Sequence, residues 1–115
     1  MVFSKRVKEV AKILDDKKAS EVLLLDVSGS TIMADYFVVC SGNSNLHVRR
    51  LAEELDDELI KLGYERIRVE GLREGRWVVA DYGDILVHIF HKDEREFYDI
   101  ERLWKNGDNY LEYEG

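Results

Sequence analysis

The chain has 115 residues, 45% of them hydrophobic and 36% charged, with a formal net charge of -7. That length holds one domain, able to bury roughly two thirds of its unfolded surface, and its longest apolar runs, Val22 to Leu25 and Trp77 to Ala80, are far too short to span a bilayer. The acidic balance excludes a general binder of phosphate backbones, which needs clustered Lys and Arg, and leaves either a basic protein partner or plain solubility as its purpose.

Residues 3 to 16 read as a helix. Phe3, Val7, Val10, Ala11 and Leu14 fall on one face, with Lys5, Lys8, Glu9 and Lys12 outside. No apolar signal core follows Met1, so a cytoplasmic location without membrane is expected. Lys17 and Lys18 close the helix where cations suit its dipole. Glu21 to Val27 is a strand whose continuous apolar run implies cover on both faces. After Ser28-Gly29-Ser30, Tyr36 to Cys40 forms a second strand. Cys40 is the single cysteine, so no internal disulfide can form; at the end of an aliphatic strand it reads as a small buried hydrophobe.

Ser44 is a good N-cap for the next helix, with Val48, Leu51, Ala52, Leu55, Leu59 and Leu62 as its stripe and Gly63 as its terminator. Its outer face, Glu53, Glu54, Asp56, Asp57 and Glu58, reads as a solvated acidic surface. Arg66 to Glu70 alternates as a strand with Ile67 and Val69 inward. A glycine-bounded loop, Gly71 to Gly75, leads into two apolar runs around Asp81-Tyr82-Gly83-Asp84, which is a hairpin signal.

With Tyr82 and Gly83 at the turn centre, Ala80 would face Ile85, Val79 Leu86, Val78 Val87 and Trp77 His88. Alternation then puts Val78, Ala80, Ile85, Val87 and Ile89 on one face, a core under helices. Trp77, Val79, Leu86, His88 and Phe90 share the other, with the aspartates at its rim. That second face is either buried in a central sheet or a partner surface, and Trp as a preferred anchor favours the partner surface. Beyond His91, Asp93 and Glu96 suggest a capping box, with Phe97, Ile100 and Trp104 on one helical face. Residues 1–105 are expected to be the domain and 106–115 a short, partly ordered tail. The order α-β-β-α-β-β-β-α predicts helices packed on a mixed five-stranded sheet, an α/β (α+β) class.

Little in the chain points to catalysis. Gly29-Ser30 before Asp35 is a fragment of a nucleotidyltransferase pattern, but Tyr36 and Phe37 follow where a second metal-binding acid would stand. His88 and His91 have odd spacing, so on a strand they point to opposite faces and cannot share an ion. No phosphate-binding glycine motif is present, and no catalytic residue, metal or cofactor is assigned.

Four stretches together carry a resemblance: Asp35-Tyr-Phe-Val-Val-Cys-Ser-Gly-Asn-Ser44, Glu70-Gly71 with Gly75-Arg-Trp77, Asp81-Tyr-Gly-Asp-Ile-Leu-Val-His-Ile-Phe90, and Arg95-Glu-Phe-Tyr-Asp-Ile-Glu-Arg-Leu-Trp104. In this order and spacing they resemble the Iojap-like family, the ribosomal silencing factors, over about residues 3 to 105. The resemblance implies a nucleotidyltransferase-like fold without catalytic acids. It implies a non-enzymatic factor that binds the large ribosomal subunit at ribosomal protein L-fourteen, blocks joining of the small subunit and represses translation under nutrient limitation. It also implies a homodimer when free, with no specific nucleic acid partner. The expected partner-binding residues are Glu70, Trp77, Asp81, Tyr82, Asp84, His88 and Glu101. The alternatives are a large-subunit assembly factor, a dimeric adaptor, and a nucleotidyltransferase-like enzyme.

Overall fold

The computed structural model describes residues 3–114. Helix α1 (Lys5–Asp16) starts at Ser4, whose hydroxyl accepts from the Val7 N–H. Strands β1 (Ser20–Asp26) and β2 (Tyr36–Gly42) follow, then helix α2 (Asn45–Lys61). The Ser44 hydroxyl accepts from His47 N–H at its start. At its end, Gly63 takes φ 87° and donates to Ile60, while Tyr64 donates to Leu59. This is a Schellman stop, with glycine supplying the left-handed residue.

The chain continues through β3 (Arg68–Glu70), β4 (Trp77–Asp81), β5 (Ile85–His91), α3 (Lys92–Tyr98), α4 (Ile100–Trp104) and β6 (Tyr110–Glu112). These strands form one mixed sheet of six in the order β3-β4-β5-β2-β1-β6, with only β2 and β5 parallel. The parallel pair sits in the centre, because α2 and the β3–β4 ribbon together make the crossover. The expected class holds, with one strand more than the sequence predicts. That strand is β6, inside the tail expected to be partly ordered. Asn109 holds it: its amide donates to the Asp26 carbonyl and to the Trp104 carbonyl, both at 2.9 Å.

The two faces of the sheet are covered unequally. On one, α1 and α2 lie over Val22, Leu24, Val38, Cys40, Val78, Ala80, Ile85, Val87 and Ile89, all buried. Cys40 is the expected buried hydrophobe, and burial pushes its thiol up to about 12. On the other face, Leu23, Leu25, Phe37, Val39, Leu86 and Phe90 meet the short α3–α4 segment through Ile100 and Trp104.

Five local expectations are corrected. Hairpin register pairs Trp77 with Phe90, Val79 with His88 and Asp81 with Leu86, two residues from the predicted pairing. The turn is wider because Tyr82 N–H bonds the Ile85 carbonyl across Gly83 at φ 92°. An even slip leaves each side chain on its predicted face. Helix α3 is capped by the His91 ring, which accepts from Asp93 N–H, so no Asp93 capping box forms. Asp99 at φ 45° then breaks the helix, turning Phe97 outward while Ile100 stays buried. Ile67 bonds Asp81 through its backbone but lies outside β3, with its side chain exposed. Finally, Asp56 on the outer side of α2 is no solvated acid: it accepts from the Tyr82 hydroxyl at 2.9 Å and pairs with Arg66.

Candidate interaction face

The half-covered face of the sheet carries a run of touching aromatic rings. Trp77 opens β4 and stacks on Phe90 of β5 at 4.8 Å and 24°. Tyr98 of α3 approaches Trp77 to 4.9 Å and Phe90 to 6.4 Å, and Phe97 meets Tyr98 edge-on at 5.1 Å. Across the strands His88 lies edge-on to Phe37 at 4.8 Å, and Phe37 meets Trp104 at 5.0 Å. Antiparallel pairing puts Trp77 beside Phe90 and Val79 beside His88, while the parallel β2–β5 pair brings Phe37 beside Leu86, so the sheet itself assembles the run.

The cover over this run is incomplete. Trp77, Val79 and Trp104 are only half-buried. Phe97 and Leu103 are 79% and 78% exposed, and Tyr98 is exposed as well. Large apolar groups open to water in this way are a common mark of a partner surface.

His88 is the polar member of the face. It is 7% exposed, and its Nδ1 accepts from Trp77 Nε1 at 3.2 Å. That bond puts the imidazole proton on Nε2. Burial pulls its pKa down to about 4, so the ring is neutral at ordinary pH. His88 thus sets the tilt of the Trp77 indole from beneath and does not present itself to a partner.

The seven residues picked from the sequence divide into four groups. Trp77, Glu70 and Asp81 share the half-covered face, since β3 pairs Glu70 with Val79 and Arg68 with Asp81. Glu70 is exposed; Asp81 is half-buried, accepting from Gly83 N–H at 2.8 Å and pairing with Arg68. Tyr82 and Asp84 lie on the helix side of the sheet instead. Tyr82 is 3% exposed among the helix-side residues, with its hydroxyl on Asp56, and Asp84 pairs with Arg6 of α1 at 3.2 Å. Alternation carries this result: a residue after Asp81 must point to the opposite face. His88 is corrected from contact residue to support, as above. Glu101 is held by the buried Arg95 at 3.2 Å, where Arg95 also donates to the Glu21 carbonyl and the Ser41 hydroxyl. Its duty is to fasten α3–α4 to the sheet.

Sequence reasoning missed Tyr98, Glu74 and Glu94, which gather around Trp77. Together with Gly71 and Arg76 they line a cleft of about 260 Å³. The loop before β4 is fixed tightly there. Gly71 has φ 82°, and a Cβ on it would lie 2.0 Å from the Trp77 carbonyl oxygen. Asn45 and Arg49 of α2 donate to the carbonyls of Glu74 and Arg73. The glycine-bounded spacing was the available signal, since a loop held at both ends positions what lies between.

His88 and His91 do point apart: one is under Trp77 and the other caps α3. Among the described residues no group of three or more His, Cys, Asp or Glu could hold a metal ion, and no helix is long and apolar enough to cross a membrane.

Comparison with known proteins agrees with this architecture. The family described as "Ribosomal silencing factor during starvation" matches residues 3–114. The ribosomal silencing factor of Bacillus subtilis is 45% identical over 98 residues, which is 85% of this chain and 83% of that protein. The mitochondrial Iojap-related protein of Arabidopsis thaliana is 30% identical over 84% of this chain and 54% of its own length. A crystal structure of a Bacillus halodurans protein superposes with a TM-score of 0.81 at 39% identity, covering 96% of this chain and all of that one. A Chromobacterium violaceum crystal structure gives 0.83 at 30% identity, covering 99% and 95%.

Proposed function

The chain belongs to the ribosomal silencing factor family, and from that premise we propose that it docks on the large ribosomal subunit through its half-covered aromatic face. The observation that carries the reading is Trp77, half-buried on a stack of Phe90, His88 and Tyr98 and open on its remaining side. A rigid aromatic anchor gains contact area at small entropic cost. The chain's net charge of -7 suits a basic ribosomal protein, and L-fourteen is the proposed partner. Silencing then requires no chemistry. A domain seated on the inter-subunit surface excludes the small subunit by volume alone, and translation falls.

In the free protein the same exposed apolar groups favour a homodimer, which would hide Phe97 and Leu103 from water. Light scattering across a concentration series checks this, and a strict monomer at high concentration contradicts it. The ribosomal reading is tested by sedimenting the protein with purified large subunits and then adding small subunits. Binding together with loss of joined ribosomes supports it. Failure to co-sediment rejects it and leaves the adaptor reading.

A further inference from the structure

The cleft beside Trp77 combines an aromatic wall with two carboxylates. One wall is aromatic, made by the Trp77 and Tyr98 rings 4.9 Å apart. Glu74 and Glu94 stand at its sides, and among the described residues neither carboxylate is in an ion pair. Both come from elements held in place: Glu74 from the loop tied to α2 by Asn45 and Arg49, Glu94 from the first turn of α3. An aromatic face attracts a cation through its quadrupole, and a carboxylate beside it supplies a charged acceptor. A guanidinium uses both at once, because it is planar, stacks, and offers paired donors.

We propose that this cleft receives an arginine side chain of the docking partner, with the guanidinium on the Trp77–Tyr98 wall and its donors on Glu74 and Glu94. The proposal rests on the docking role assigned to Trp77 and adds the chemistry the partner must bring. The volume of about 260 Å³ suits one long side chain and is small for a nucleotide base with its sugar. Arg76 is the opposing element. It lines the cleft, is exposed, and is in no ion pair among the described residues. It distinguishes the two signs of ligand: a cation is repelled by Arg76, whereas an RNA phosphate would depend on it.

The test uses the full chain and two readouts. In the first, N-acetyl-arginine amide is titrated while the Trp77 indole N–H resonance is followed, with the uncharged citrulline amide as control. A saturable shift with arginine only is expected, weakened by Glu74→Gln and Glu94→Gln and strengthened by Arg76→Ala. No saturable shift, or an equal response to citrulline, overturns the proposal. In the second, large-subunit affinity should fall about tenfold in the double Gln variant, the size of a lost charge-assisted hydrogen bond. Arg76→Ala should hold or raise it. Wild-type binding with an unaffected double variant overturns the arginine cleft and spares the docking reading. Binding abolished by Arg76→Ala does the same and assigns the cleft to phosphate. Absence of wild-type subunit binding rejects the docking reading, and the amide titration still decides the cleft.

Discussion

The two faces of one sheet are built from neighbouring residues of the same strands and have opposite fates. The helix side takes Val78, Ala80, Ile85, Val87 and Ile89, small aliphatic groups that two long helices close over completely. The other side takes Trp77, Val79, Leu86, His88 and Phe90, and only the short α3–α4 segment and Val27 and Ala34 of the β1–β2 connection pack in its cluster. The difference lies in what covers each face. α1 and α2 span 12 and 17 residues with continuous apolar stripes; α3 and α4 span 7 and 5, interrupted by the left-handed Asp99. Period-2 alternation thus separates stability from interaction within single strands.

That division is easiest to break on the helix side. Leu55→Ala, on the fully buried face of α2, should cost about 2–5 kcal/mol in urea denaturation. Val79→Ala on the half-covered face should cost about 1 kcal/mol or less. Equal costs would mean the faces are not distinct.

His88 gives the next largest effect. Its folded pKa of about 4 lies below the unfolded value of 6.5, so the unfolded chain binds the proton first as pH falls. The stability owed to neutral His88 is therefore intact above pH 6.5 and is lost as pH drops toward 4, by about 3 kcal/mol in full. His88→Gln should flatten that part of the stability–pH curve relative to wild type. An unchanged slope would place the titration elsewhere. Below this in size, Tyr82→Phe removes one hydroxyl bond to Asp56, costing about 1 kcal/mol of stability and nothing in subunit binding. Smallest of all, Glu53→Lys on the exposed side of α2 should alter stability by no more than about 0.5 kcal/mol.

The faces were legible in the sequence because alternation survives errors of register. The hairpin pairs two residues from the predicted position, yet Val78 and Trp77 keep their sides. The Ser44 and Gly63 boundaries of α2 were legible because caps are local chemistry. What escaped depends on distant partners. Asp99 takes a left-handed φ where its N–H bonds Arg95, itself buried against Glu21 and Ser41 far away in the chain. β6 exists through Asn109 reaching Asp26 across 83 positions. Tyr82 looked like an exposed turn residue, and a hydroxyl bond to α2 made it core. The aromatic anchor was visible in the sequence, whereas the carboxylates beside it came from a loop and a helix that only folding brings together.

The most direct test of the central claim is co-sedimentation of Trp77→Ala and Val79→Lys with purified large subunits, after circular dichroism establishes that both are folded. Val79 stands opposite Glu70, so a lysine there gains a cross-strand partner while placing a positive charge on the proposed docking face. Loss of a central anchor typically costs about 2 kcal/mol or more, and both variants should therefore bind roughly thirtyfold more weakly or worse, while Tyr82→Phe binds like wild type. Folded Trp77→Ala and Val79→Lys proteins that bind with wild-type affinity would contradict the account and move the contact off this face.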